Sequence, residues 1–158
     1  STPLLEECGS MFSGCSNLKS APDINLSKCK NTISLFENCT YMEDCGPLQT
    51  ISSEYMINMF KNCHNLRYIG SLDFSACKDA TGIFEGCEKL EHINIRPGSL
   101  QCDLSFRGTN LDIESAKKII MELTPAVRTL DISGTPAARE LAASYIEHAS
   151  RLGWTIFR

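Results

Sequence analysis

Apolar and polar positions in the first part of this chain recur at a fixed interval. Phenylalanine stands three places before cysteine at Phe12–Cys15, Phe36–Cys39, Phe60–Cys63 and Phe84–Cys87, with a constant step of 24 from each pair to the next. An apolar residue precedes every Phe (Met11, Leu35, Met59, Ile83). Three after each Cys comes Leu18, Met42, Leu66 or Leu90, and three further on Ala21, Cys45, Ile69 or Ile93. A constant period of this size is the signature of stacked repeats, and it outranks local propensity. No such unit can bury its own apolar face. Stacking would place Phe on Phe, Leu on Leu and Cys inward in one core.

The polar positions fix the geometry. Between Phe and Cys stand Gly14, Asn38, Asn62 and Gly86, residue types that tolerate positive φ, so the pattern predicts a tight left-handed corner in every unit. The L-x-x-I stretch after each corner predicts a short strand, paired in parallel with its neighbour about 4.8 Å away. Further strand-like stubs are expected at Ile24-Asn25-Leu26 and Leu72-Asp73-Phe74, with bends at Pro22, Pro47, Gly46 and Gly70. Two exposed columns alternate in sign, Lys19–Glu43–Arg67–Glu91 and Ser13–Glu37–Lys61–Glu85, which predicts attraction between neighbouring units and a penalty for slipped register.

Past Pro97 the interval becomes 26: Leu104, Leu130 and Ile156 fall in line as three more strand positions. Helical periodicity fills the gaps. One helix is expected from an Asp112 N-cap to about Leu123, ended by Pro125. A second should start between Pro136 and Ser144 and stop at Gly153. The reading is therefore an α/β solenoid of stacked repeats in one continuous domain. Residues 1–97 hold four Phe-x-x-Cys repeats with irregular turns, and residues 98–158 hold strand–helix repeats that cap the last Phe. Leu5 and Cys8 fall in phase with Cys29 and Thr32, as in the stub of an earlier unit.

The stretch Met59-Phe60-Lys61-Asn62-Cys63-His64-Asn65-Leu66-Arg67-Tyr68-Ile69 resembles the BspA-like leucine-rich repeat, and Leu72–Ser75 with Ile83–Cys87 resembles the related repeat of mycoplasma-type surface lipoproteins. The likeness covers residues 8–95 and implies that the fold is an α/β leucine-rich-repeat solenoid. The tail from Leu130 to Ile156 is similar to the ending of such proteins from gut bacteria and their phages. The resemblance implies a non-catalytic recognition role: a bacterial surface module, or alternatively a receptor-binding or structural part of a phage tail fibre. Two features depart from the pattern, namely the lack of a lipobox-like start and the segment Leu48–Ile57, which carries Tyr55 and Met56 in place of a short polar link.

Composition narrows the chemistry. The 158 residues carry 15 bases and 19 acids, a net charge of −4, which argues against nucleic acid. No apolar run is long enough to span a membrane. Nine cysteines, an odd number, cannot all pair within the chain, and the column of four reads as buried free thiols, with bridges between neighbouring units as the alternative. A thiol-rich chain with few bridges suits reducing conditions. No C-x-x-C occurs, so zinc is not expected, nor any other cofactor. Cys63 beside His64 is the nearest approach to a nucleophile–base pair and makes a cysteine hydrolase the least favoured reading. His92 and His148 read as surface residues. Asn25-Leu26-Ser27 and Asn38-Cys39-Thr40 match glycosylation sequons.

The functional expectation rests on the strand face. If Ile69 points inward, Tyr68 and Gly70 point out, and the same parity exposes Ser20, Asp44, His92 and Asn94, flanked by Arg67 and Glu91. A rigid sheet bearing aromatic and charged groups suits a protein or glycan ligand, at a cell surface or in secretion, or else on a virion.

Overall fold

The computed structural model describes residues 6–158; Leu5, read above as part of an earlier unit, lies outside them. The chain is α/β, with short parallel strands in two small sheets and three helices. The first sheet contains β1 (Asp44–Pro47), β2 (Tyr68–Leu72) and β3 (His92–Ile95). The second contains β4 (Leu104–Ser105), β5 (Arg128–Asp131) and β6 (Trp154–Phe157).

Both sheets keep the sequence register. Cys45 pairs with Ile69 and Ile69 with Ile93, one interval of the first kind per strand. Leu104 pairs with Leu130 and Leu130 with Ile156, one interval of the second kind. The strands start two residues later than the L-x-x-I motif, because Leu66 and its equivalents end the corner and pack inward. The first unit makes only isolated bridges, Glu7 to Asn31 and Ser20 to Asp44. The expected stubs are not strands. Ile24–Leu26 pairs with nothing among the described residues, and of Leu72–Phe74 only Leu72 belongs to one, as the last residue of β2.

Five phenylalanine rings run through the core. Phe12, Phe36, Phe60, Phe84 and Phe106 stack in succession with centroids 5.4, 5.6, 6.2 and 5.0 Å apart. Phe106 is a member that the Phe-x-x-Cys pattern did not include. The cysteine column explains itself by hydrogen bonding. The thiols of Cys39, Cys63 and Cys87 donate to the carbonyls of Phe12, Phe36 and Phe60 at 3.1, 3.1 and 3.0 Å, so a small apolar side chain also satisfies a backbone acceptor. The first rung departs from expectation: Phe12 is only half-buried and Cys15 is exposed, because no described residue covers their outer side.

The predicted corners hold φ of 74°, 62°, 61° and 75° at Gly14, Asn38, Asn62 and Gly86. A second left-handed column, at Ser10, Ser34, Asn58 and Gly82, lies two residues before each Phe. The atypical segment Leu48–Ile57 does not break the stack. Tyr55 bridges Asn31 on one side and Asp79 on the other, and Met56 is fully buried.

Three other expectations need correction. Gly70 does not face solvent. It is buried at the irregularity between β2 and β3, and a Cβ there would lie 2.6 Å from the Pro47 nitrogen. The column of four cysteines carries no bridge, while Cys8 and Cys29, outside it, form a disulfide across Cα atoms 6.3 Å apart. Of the charge columns only Lys61–Glu85 closes to an ion pair, at 3.2 Å, while Arg67 makes none among the described residues. Finally, the C-terminal half carries three helices, not two: α1 (Ile113–Met121), α2 (Pro136–Glu140) and α3 (Ala143–Arg151). Thr135 caps α2 with Pro136 at its first turn, and Leu141, in extended conformation, separates it from α3. Gly153 follows α3 at φ 89°.

Candidate functional site

Parallel pairing at constant register turns one position of each unit into a row. Ser20, Asp44, Tyr68 and His92 form such a row on the sheet's outer surface, and all four are exposed. Arg67 is exposed one position earlier, but only its backbone is engaged, donating to the Glu43 carbonyl and accepting from Glu91. Glu91 is half-buried, and its carboxylate accepts from Asn110 Nδ2 at 2.9 Å. Asn94, two residues past His92, is half-buried and accepts from Lys118 Nζ at 3.1 Å.

The end of the row meets the start of α1. The backbone N–H of Asp112 donates to the Glu91 carbonyl, which seats the helix N-terminus beside β3. Asp112 Oδ1 caps the helix by accepting from the N–H groups of Glu114 and Ser115, both at 2.9 Å. Its Oδ2 accepts from the Ser115 hydroxyl and from His92 Nδ1, both at 2.8 Å. Burial raises the Asp112 pKa, but the bonds from Ser115, the His92 ring and the Glu114 N–H outweigh it, so the carboxyl sits below its ordinary value and stays ionised.

Between sheet and helix lies a groove of about 380 Å³, lined by Tyr68, His92 and Asn94 from the strands and by Asp112, Glu114 and Lys118 from the helix side. Asp112 holds the imidazole through Nδ1, which leaves Nε2 to donate or accept towards a ligand. The phenol of Tyr68 and the ammonium of Lys118 supply a flat apolar face and a point charge. There is no nucleophile relay, because the Ser115 hydroxyl is turned to Asp112 and not to His92.

Three of the residues expected on the strand face, Tyr68, His92 and Asn94, therefore line one groove. Ser20 and Asp44 continue the row outside it, and Arg67 and Glu91 flank it. His92 remains exposed but is not free, being held by Asp112. Sequence reasoning missed Asp112, Glu114, Ser115 and Lys118 as site residues. The N-cap signal at Asp112 was legible, but its contact with His92 depends on where the 106–112 loop lands, and no local pattern encodes that.

Elsewhere the chemistry is sparse. Cys63 is fully buried, its thiol bonded to the Phe36 carbonyl and its pKa pushed well up by burial. His148 is half-buried on α3, and its Nε2 is buried with no partner among the described residues. Asp73, nearly buried, is paired with Arg96 and accepts from the Ser75 N–H beside a second cleft formed by Pro47, Leu48, Thr50 and Ile51. Among the described residues no cluster of ligating side chains could hold a metal, and no helix is long and apolar enough to cross a membrane. Comparison of the chain with protein families, curated proteins and solved structures found no match.

Proposed function

We propose that this chain is a leucine-rich-repeat solenoid of the BspA-like kind, serving as a non-catalytic recognition module at a bacterial cell surface and holding a protein or glycan against its sheet face. The observation that carries the reading is the groove where Tyr68, His92 and Asn94 of the sheet meet Lys118 of α1. An aromatic face with convergent, oriented polar groups is what a sugar ring or a peptide side chain needs for stacking and hydrogen bonding. The solenoid reading is supported by the constant repeat register of each sheet and by the unbroken aromatic column. The Cys8–Cys29 bridge favours a location outside the cytoplasm. A cysteine hydrolase finds no support, since Cys63 is buried and protonated and its thiol is turned to a backbone carbonyl.

The test uses the full chain on a printed glycan array and on immobilised extracellular-matrix proteins. Binding on one panel that falls at least tenfold in both Tyr68→Ala and His92→Ala, with unchanged circular dichroism, is the expected result. Binding that survives the double substitution, or silence on both panels, overturns the reading.

A further inference from the structure

Two cysteines meet where the Phe-x-x-Cys units give way to the helical half. Cys77 and Cys102 are 4% and 3% exposed, and the register sets them side by side: the Phe74 N–H, three residues before Cys77, donates to the Ser99 hydroxyl, three residues before Cys102, and Cys102 shares a cleft with Lys78 and Asp79, which follow Cys77. Cys77 occupies the column of Cys29, two intervals on, and in both the backbone N–H donates to the carbonyl three residues before, Leu26 and Phe74 respectively. Ser53 stands between them in that column, its hydroxyl donating to the Cys29 carbonyl. Each of the two cysteines therefore finds its sulfur neighbour on the far side from Ser53: Cys29 in Cys8, to which it is already cross-linked, and Cys77 in Cys102. The second pair is not sealed off. Cys102 borders a cleft of about 270 Å³ shared with Lys78, Asp79, Asp103 and Arg128.

We propose that Cys77 and Cys102 are the site of a second, reversible disulfide, formed by exchange with a small organic disulfide such as oxidised glutathione. The neighbouring Cys102 side chain holds the Cys77 thiol below its ordinary pKa, which makes Cys77 the attacking group. Its sulfur bonds to one sulfur of glutathione disulfide, the glutathione S–S bond breaks, and one glutathione leaves as a thiolate that takes up a proton. Cys102 then loses its proton, attacks the Cys77 sulfur of the mixed disulfide and displaces the second glutathione. Two protein thiols are oxidised and one glutathione disulfide is reduced to two thiols. The product ties the last Phe-x-x-Cys unit covalently to the half that carries β4 to β6.

Peptide mapping of the native full chain decides the matter. Trypsin leaves Cys77 as the only cysteine of peptide 68–78 and Cys102 as the only cysteine of peptide 90–107, because Arg96 precedes Pro97 and resists cleavage. After incubation with oxidised glutathione, blocking and digestion, the linked pair 68–78/90–107 should dominate and should vanish with dithiothreitol. In Cys102→Ser, Cys77 should instead be trapped as its glutathione adduct. Wild-type protein in which both peptides are recovered blocked, or in which either cysteine is joined to a different one, overturns the proposal whether or not the variant folds.

Discussion

The rings of Phe84 and Phe106 stack 5.0 Å apart at an interplanar angle of 16°. This contact joins the two styles of repeat. Phe84 ends the Phe-x-x-Cys series and Phe106 follows β4, yet the aromatic column passes between them without a gap. Both rings are essentially inaccessible. Phe106→Ala should therefore cost about 3–5 kcal/mol, as Phe60→Ala should, by loss of transfer energy plus a cavity that stacked neighbours cannot close. Phe12→Ala should cost clearly less, because that end ring is half-exposed. Urea unfolding of the three variants checks the ranking. Equal losses would mean that the column is not a continuous core.

The corner glycines separate backbone strain from crowding. Gly14 and Gly86 have φ of 74° and 75°, but an added Cβ at Gly14 meets nothing within 4 Å, whereas at Gly86 it would lie 2.6 Å from Asn62 Oδ1. Gly14→Ala should cost about 1–2 kcal/mol from the left-handed backbone alone. Gly86→Ala should cost more, since the Asn62 side chain, which donates to Asn38 at 2.9 Å, must also move. Thermal melts of the two variants give the comparison.

The periodic part of the molecule was legible because stacking turns one-dimensional repetition into three-dimensional contact. The same offset in sequence sets strand register, ring stacking and corner conformation. What the period could not supply lies between columns or at ends. Phe106 falls two places short of a full interval after Phe84, so a search at the strict period passes over it. The second left-handed column uses Ser, Ser, Asn and Gly, a mixture with no single residue to announce it. Cys15 follows the motif fully, yet an end rung has nothing outside it among the described residues, and sequence identity cannot report a missing neighbour. The site was half legible for the same reason: strand parity exposes Tyr68 and His92, but the helix wall of the groove belongs to another column.

Acid should destabilise the chain through two carboxylates. At Asp73 burial raises the pKa, but the bonds from Ser75 and from Arg96 more than offset it, and the net shift is downward. Asp112 is lowered by the same balance of causes. A carboxyl whose folded pKa lies below its unfolded value of about 3.9 contributes stability that is complete above that value and disappears as pH falls through the folded pKa. Stability should thus decline below about pH 4, and Asp73→Asn should flatten that limb. An acid limb identical in the variant would remove Asp73 from the account.

Exposed charge pairs should matter little. Lys61 pairs with Glu85 at 3.2 Å, but Glu85 is largely exposed, so Lys61→Ala should cost about 0–1 kcal/mol, less in high salt. Arg67→Glu should cost no more than that, because Arg67 makes no ion pair with Glu43 or Glu91, and only their diffuse field opposes the new charge. A loss well above about 1 kcal/mol, insensitive to salt, would show that the side chain packs as well as repels.

The buried cysteines predict the opposite pH limb. Burial pushes the thiol of Cys39 up to about 11 and those of Cys45 and Cys87 up to about 12, and raises Cys63 further. In the unfolded chain the same groups ionise near about 8.5. The native state therefore holds protons that the unfolded state releases. The contribution is complete below about pH 8.5 and is lost as pH climbs towards the folded values. Alkaline unfolding should begin in that window, and Cys63→Ala should blunt it while costing stability at neutral pH. The same burial orders reactivity. In the native chain under reducing conditions, iodoacetamide should take the exposed Cys15 first, Cys102 at its cleft more slowly, and the column thiols only on unfolding. Early alkylation of Cys63 would mean that the column opens in the native state, and the packed core argued from the repeat would fail with it.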